Sequence, residues 1–125
     1  MEKSLRILIV EDEPILALEL KEDLQDMGFF VSEVVFDGDM VLHAFLRYKP
    51  DVVLMDIKLN GFRDGIDSAS QIRGFYKTPI IYLSSFSEAE VIGRLTRTAP
   101  YTYLQKPYEL PLLFQTINSA VRGSA

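Results

Sequence analysis

Four short apolar runs, Ile7 to Val10, Val52 to Met55, Ile80 to Leu83 and Tyr101 to Leu104, recur along the chain with helix-length segments between them. The first three, ILIV, VVLM and IIYL, show no strict alternation of apolar and polar residues. Continuous runs of strand length suit strands covered on both faces, as in the middle of a parallel sheet. Phe30 to Val35 alternates more and reads as an edge strand.

The intervening segments carry helical periods. Leu16, Leu20, Leu24 and Met27 recur on one stripe and predict a helix over Pro14 to Met27, with Pro14 in its first turn. A second helix is predicted over Asp39 to Tyr48 with Val41, Ala44, Phe45 and Tyr48 inward, and a third over Gly65 to Arg73 with Ile66, Ala69 and Ile72 inward. The fourth spans Ser87 to Leu95 and contains Gly93; the last spans Tyr108 to Val121 with Leu110, Leu113, Phe114, Ile117 and Val121 on one side. Five strands alternating with five helices predict an α/β fold, a parallel sheet with right-handed crossovers and helices on both faces.

The length of 125 residues fits one domain with a well-formed core. Hydrophobic residues make up 48% and charged residues 25%, the balance of a globular protein rather than a disordered one. The net charge of −5 and the lack of a Lys/Arg run give little support to direct nucleic-acid binding. Without cysteine there is no disulfide and no thiolate metal site, so a bound metal would be a hard cation on oxygen ligands. The opening MEKSLRILIV is too short in apolar residues for a signal segment, and no stretch approaches a membrane span, so a cytoplasmic protein is expected. The terminal Gly123-Ser124-Ala125 reads as a frayed end or, equally, as the place where a longer protein was cut.

In doubly wound sheets, ligands sit beyond the carboxyl ends of the strands, so the informative residues are those that follow each apolar run. Glu11, Asp12 and Glu13 follow the first; Asp56 ends the third strand; Ser84 and Ser85 end the fourth; Lys106-Pro107 follow the fifth. Converging carboxylates repel, by about 4 kcal/mol for two charges about 4 Å apart at an effective dielectric of about 20. Lys106 can supply one compensating charge, and a divalent cation held by carboxylates and a backbone carbonyl can supply the rest. Taken singly, each has a plainer role: Glu11, Asp12 and Glu13 as helix-start acids, Asp56 as a turn acid, Ser84 as a loop hydroxyl, Lys106 as a solvated charge. Their joint placement at four strand ends favours a functional set. His43, the lone histidine, sits mid-helix away from those ends and is assigned no chemistry.

The motifs ILIVEDE, VVLMDIKLNG, the pair Asp64-Gly65, PIIYLSS and YLQKPY, in this order over essentially the whole chain, resemble the receiver domain of two-component response regulators. The resemblance implies a flavodoxin-like, chemotaxis-regulator-like sheet of order 2-1-3-4-5 with its site at the C-terminal edge. It implies a single receiver domain over residues 1–125, with an ordered core of about 4–122 and no output domain in this chain. Asp56 would be the phosphoacceptor. Asp12, Asp56 and the backbone carbonyl of Lys58 would ligate Mg2+, for which Mn2+ could substitute, and Glu11 would act through a bound water. Ser84 takes the position of the switch hydroxyl, Lys106 would pair with the phosphoryl charge, and Pro107 would follow a cis peptide. Tyr103 takes the place of the switch aromatic, which moves with Ser84 on phosphorylation.

The implied partners are a sensor histidine kinase or a histidine phosphotransfer protein. The chain would catalyse its own phosphorylation from phosphohistidine, and later its own aspartyl phosphate hydrolysis, without being a conventional enzyme. Phosphorylation would alter the surface of the fourth helix, fifth strand and fifth helix, through which a phosphorylation-dependent homodimer could form. Ile15, beside the acidic pocket and outside the first helical stripe, is the expected docking residue for the kinase helix; Leu18 lies outside the stripe as well. Lys58 and Phe86, each two residues beyond Asp56 and Ser84, are expected to tune dephosphorylation by controlling water access.

Three departures from the family pattern stand out. Ser85 occupies a position usually held by a small apolar residue, and Thr102 replaces the common glycine before the switch aromatic. The loop KLNGFRDG lacks the usual proline and is one residue longer than in the chemotaxis-regulator type. A phosphatase of the haloacid dehalogenase type would need an aspartate where this chain has Lys58, and no GxGxxG or GxxxxGK[ST] follows a strand. The remaining alternative is a noncatalytic receiver-like binding module regulated without phosphorylation, against which the joint presence of Asp12, Asp56, Ser84 and Lys106 argues.

Overall fold

The computed structural model describes residues 4–123. β1 (Arg6–Val10), β2 (Phe30–Val35), β3 (Val52–Asp56), β4 (Ile80–Ser84) and β5 (Thr102–Gln105) alternate with α1 (Pro14–Asp26), α2 (Val41–Tyr48), α3 (Gly65–Arg73), α4 (Glu88–Leu95) and α5 (Leu110–Gly123). The strands form one sheet of order β2-β1-β3-β4-β5, and every pairing is parallel. This is the flavodoxin-like order.

The unbroken apolar runs are explained by burial on both faces. Leu8, Val10, Val53, Met55, Ile80 and Tyr82 enter the core under α2, α3 and α4, while Ile7, Ile9, Val52, Leu54, Ile81 and Leu83 enter the core under α1 and α5. Successive side chains point to opposite faces, so a strand covered twice needs an apolar residue at every position. Burying a Leu or Ile side chain contributes about 1.5–3 kcal/mol, so these three central strands dominate the stability. β2 and β5 are the edges.

Helix boundaries differ from expectation mostly at their ends. Gly38–Met40 form a short 3-10 turn before α2, with the Asp37 carboxylate accepting from the Asp39 N–H at 2.7 Å. α5 begins at Leu110 rather than Tyr108 and runs on to Gly123; Ser124 and Ala125, also expected to fray, lie outside the described residues. Two apolar stripes are rotated from those predicted. On α1 the buried residues are Ala17, Leu20 and Leu24, and Leu16 is 41% exposed. On α5 Leu113 and Ile117 are buried while Leu110 and Phe114 are exposed.

The loops at the carboxyl edge are braced to one another. Asp39 accepts from the backbone N–H groups of Phe62 and Arg63, both at 3.2 Å, and the Gly38 N–H donates to the Asn60 carbonyl at 2.9 Å. Gly61 has φ +95°, and a side chain there would strike the carboxylates of Asp37 and Asp39. Glycine is therefore required by both space and conformation. The long β3 to α3 loop is thus held against the end of β2.

Candidate functional site

The carboxyl ends of β1, β3, β4 and β5 bring the predicted polar residues together. Glu11 and Asp12 directly follow β1, Asp56 is the last residue of β3, Ser84 the last of β4, and Lys106 directly follows β5. Backbone bonds fix these ends: the Glu11 N–H donates to the Val35 carbonyl at 3.0 Å, and the Lys106 N–H to the Ser84 carbonyl at 2.7 Å. The Lys106–Pro107 and Ala99–Pro100 peptides are both cis.

Glu11, Asp12 and Asp56 each offer one carboxylate oxygen, all within 4.8 Å of one another. Lys106 Nζ lies 3.2 Å from Glu11 Oε1 and 3.7 Å from Asp56 Oδ2. One ammonium thus faces two of the three clustered carboxylates, Glu11 and Asp56. Burial alone would raise the Glu11 carboxyl, but the Glu13 N–H and the Lys106 ammonium outweigh it and leave it below its usual value. Asp56 shows the opposite outcome: burial and the facing charges of Glu11 and Asp12 overcome Lys106 and push it up to about 7. Asp12 is also raised, by burial and by Glu11.

A set of oxygen donors with surplus negative charge fits a small hard cation. Oxygens on an octahedral magnesium stand about 3–4 Å apart, given bonds of about 2.0–2.1 Å, so the acidic trio is spaced to gather around such an ion directly or through a bound water. Lys58 sits two residues into the loop after Asp56 with its side chain exposed. Glu13, at the N-cap position of α1, makes no side-chain capping bond. Side-chain capping therefore does not account for Glu13, while Glu11 accepts from the Glu13 N–H at 3.2 Å.

Ser84 is buried, and its Oγ accepts from the Phe86 N–H at 3.1 Å. The Tyr103 hydroxyl donates to the Phe86 carbonyl at 2.7 Å. Burial, with Glu88, Glu90 and Asp56 nearby, raises the Tyr103 phenol, while the neighbouring Ser84 hydroxyl opposes that rise. Ser84, Phe86 and Tyr103 thus meet at the top of β4. Ser85 and Phe86 are exposed, Ile15 is 74% exposed on the first turn of α1, and Leu18 is exposed one turn on. His43 is exposed on α2, away from the carboxyl-edge cluster.

The brace from Asp37 and Asp39 was not anticipated from the sequence, and neither was a contact between α4 and α3. Arg94 binds Asp64 through both terminal nitrogens, at 2.7 and 2.8 Å, and Asp67 at 3.1 Å. The Asp64-x-x-Asp67 spacing is a readable capping pattern, and the structure forms the box. Nothing in the sequence points to Arg94 as the partner.

Known proteins of similar sequence and fold are response regulators. Residues 7–118 match the response regulator receiver domain family. The transcriptional regulatory protein PdtaR of Mycobacterium tuberculosis H37Rv is 35% identical over 93% of this chain and 56% of its own length. The chain thus spans about half the length of that curated relative. Among solved structures, the receiver domain of a modulated diguanylate cyclase from Desulfovibrio desulfuricans G20 superposes with TM-score 0.89 at 30% identity, covering 98% of this chain and 97% of that one. The BeF3-activated N-terminal receiver domain of Klebsiella pneumoniae RstA superposes with TM-score 0.85 at 30% identity, covering 94% and 98%. With the family matched across nearly the whole sheet and the fold shared end to end, this chain belongs to the response regulator receiver domain family.

Proposed function

We propose that the chain is a magnesium-dependent phosphoryl switch that accepts a phosphoryl group on Asp56 from the phosphohistidine of a sensor kinase or a phosphotransfer protein. The observation that carries this reading is the acidic trio of Glu11, Asp12 and Asp56 facing Lys106, whose ammonium stands 3.7 Å from Asp56. Asp12, Asp56 and the Lys58 carbonyl would hold the metal directly, with Glu11 acting through water. Mg2+ supplies positive charge to the phosphoryl oxygens when bound.

The residues of the chain divide the remaining work. An Asp56 carboxylate oxygen attacks phosphorus in line, the P–N bond to the donor imidazole breaks, and the departing nitrogen keeps the electron pair. Lys106 pairs with charge gathering on the equatorial oxygens, and the Ser84 hydroxyl donates to one of them. Water later cleaves the acyl phosphate and returns the Asp56 carboxylate. Ser84 and Tyr103, already joined through Phe86, pass the change outward to the surface of α4, β5 and α5. A homodimer through that surface is a part of the reading. Ile15, exposed beside the pocket, offers an apolar contact to the donor helix.

Incubation with a small acyl phosphate donor and Mg2+, followed by intact mass, tests the reading. A gain of one phosphoryl group that disappears in Asp56→Asn, or when the metal is chelated, supports it. The absence of any gain in the wild type would overturn it.

A further inference from the structure

α4 is held to the molecule by polar clasps more than by its core contacts. Leu95 is its one buried residue among those described, with Val91 partly buried against the core. At its N-terminal end the Tyr101 hydroxyl donates to Glu88 at 2.6 Å, and the Tyr103 hydroxyl to the Phe86 carbonyl at 2.7 Å. Those two clasps tie the first residue of the helix and the loop before it to β5 and the residue that precedes β5. The third clasp lies nearer its C-terminal end, where Arg94 reaches Asp64 and Asp67 at the start of α3.

This third clasp reaches toward Asp56. Asp64 is the N-cap of α3: its carboxylate accepts from the Asp67 N–H at 2.9 Å, and Asp67 accepts in return from the Asp64 N–H at 3.2 Å. At the next residue, the Gly65 N–H donates to the Ile57 carbonyl at 2.7 Å, and a Cβ on Gly65 would overlap the Asp56 carbonyl. The start of α3 is therefore packed directly on the backbone that carries Asp56. Arg94 grips the residue at which the loop from Asp56 rejoins a helix.

Isolated exposed ion pairs contribute little, but a guanidinium forked across one carboxylate and bonded to a second has a defined geometry. Burial would raise the Asp64 carboxyl, yet Arg94 and the Asp67 N–H outweigh it and hold it below its usual value. A helix with one buried residue on one side and a rigid cap on the other is poised to respond when the cap shifts.

We propose that Arg94 is a positioning residue that couples the Asp56 loop to α4 through its fork on Asp64, independently of the tyrosine clasps at the other end of the helix. The coupling rests on the phosphoacceptor reading above, because ligands at Asp56 are what it transmits. Linkage makes it reciprocal: freeing α4 alters binding at Asp56 as well.

Hydrogen exchange of the full chain, with and without Mg2+ and beryllofluoride, tests the coupling, with ligand binding followed separately by fluorine NMR. In the ligand-free protein, Arg94→Met should speed exchange of the amides of residues 88–95 by about three- to tenfold while the central strands keep their protection. On adding beryllofluoride, exchange in α4 of the wild type should change. In Arg94→Met the ligand should still bind, and the α4 response should shrink at least about threefold. Arg94→Lys keeps the charge without the fork and should recover only part of that response. An α4 response that is absent from the wild type, or equal in Arg94→Met, overturns the coupling alone. Failure of the wild type to bind beryllofluoride would remove the phosphoacceptor reading, and the coupling with it.

Discussion

Lys106 is bound to Glu11: its ammonium donates to Oε1 at 3.2 Å, a shorter approach than its 3.7 Å to Asp56. The charge that would neutralise a phosphoryl group is thus shared with the buried Glu11 carboxylate. Binding of a divalent cation would satisfy the acids and release Lys106 toward Asp56. Lys106→Met should lower the rate of phosphorylation by about 100-fold, the scale of losing one charged donor to a transition state. Single-turnover labelling with a small phosphodonor measures it, and a rate within threefold of wild type would contradict the assignment.

Glu11→Gln should act in the opposite sense on Lys106 while weakening the metal site. Losing an outer ligand commonly costs about 10–100-fold in metal affinity. Titration with Mn2+, followed by proton relaxation, should show that loss in Glu11→Gln, whereas Glu13→Gln, outside the acidic trio, should bind as wild type does.

The raised Asp56 carboxyl makes a prediction about stability and pH. Its folded value is about 7, well above the ordinary aspartate value, chiefly because of burial. Between the ordinary aspartate value and about 7 the folded state holds a proton that the unfolded chain sheds, so the contribution of this group is full below that ordinary value, falls across the interval and is gone once pH has risen through about 7. The wild type without metal should therefore lose stability between pH 5.5 and 8, and Mg2+ should restore it at pH 8. Asp56→Asn should flatten that slope and gain about 1–2 kcal/mol at pH 8. Urea unfolding at the two pH values measures both effects.

Away from the site, the Tyr82 hydroxyl donates to Thr98 Oγ1 at 2.8 Å, and Thr98 in turn donates to the Leu95 carbonyl at 2.8 Å. This buried chain ties β4 to the end of α4. Tyr82→Phe should cost about 1 kcal/mol, because Thr98 keeps its own acceptor and only one bond is lost. The shift in urea midpoint gives the value.

Lys58 and Phe86 are exposed on the loops that follow Asp56 and Ser84. If Asp56 is the phosphoacceptor, as proposed above, these two residues would control the approach of water to its acyl phosphate. Replacing both with alanine should change its decay by about threefold or more, a modest effect on a water-access barrier. Phosphorylated protein followed by intact mass over time gives the rate, and an unchanged decay would remove both residues from this role.

The sheet was legible because a doubly covered strand leaves an unbroken apolar run, and the acids stood out because they follow such runs directly. Stripe orientation was less legible. Leu16 and Phe114 are as apolar as their buried neighbours, yet the rotation of α1 and α5 on the sheet leaves them exposed. Ala17 is buried in place of Leu16. Arg94 and Asp39 were silent in the sequence because their partners lie 30 and 24 residues away across loops whose paths no local pattern specifies.

The most direct measurement of the central claim is chemical location of the phosphoryl group. Borohydride reduces an acyl phosphate to an alcohol, so reduction of the phosphorylated protein followed by peptide mapping should find homoserine at position 56. Conversion at Asp56 that requires Mg2+ is the predicted result. A phosphorylated protein that leaves Asp56 unchanged, or converts Asp12 or Asp64 instead, would contradict the account.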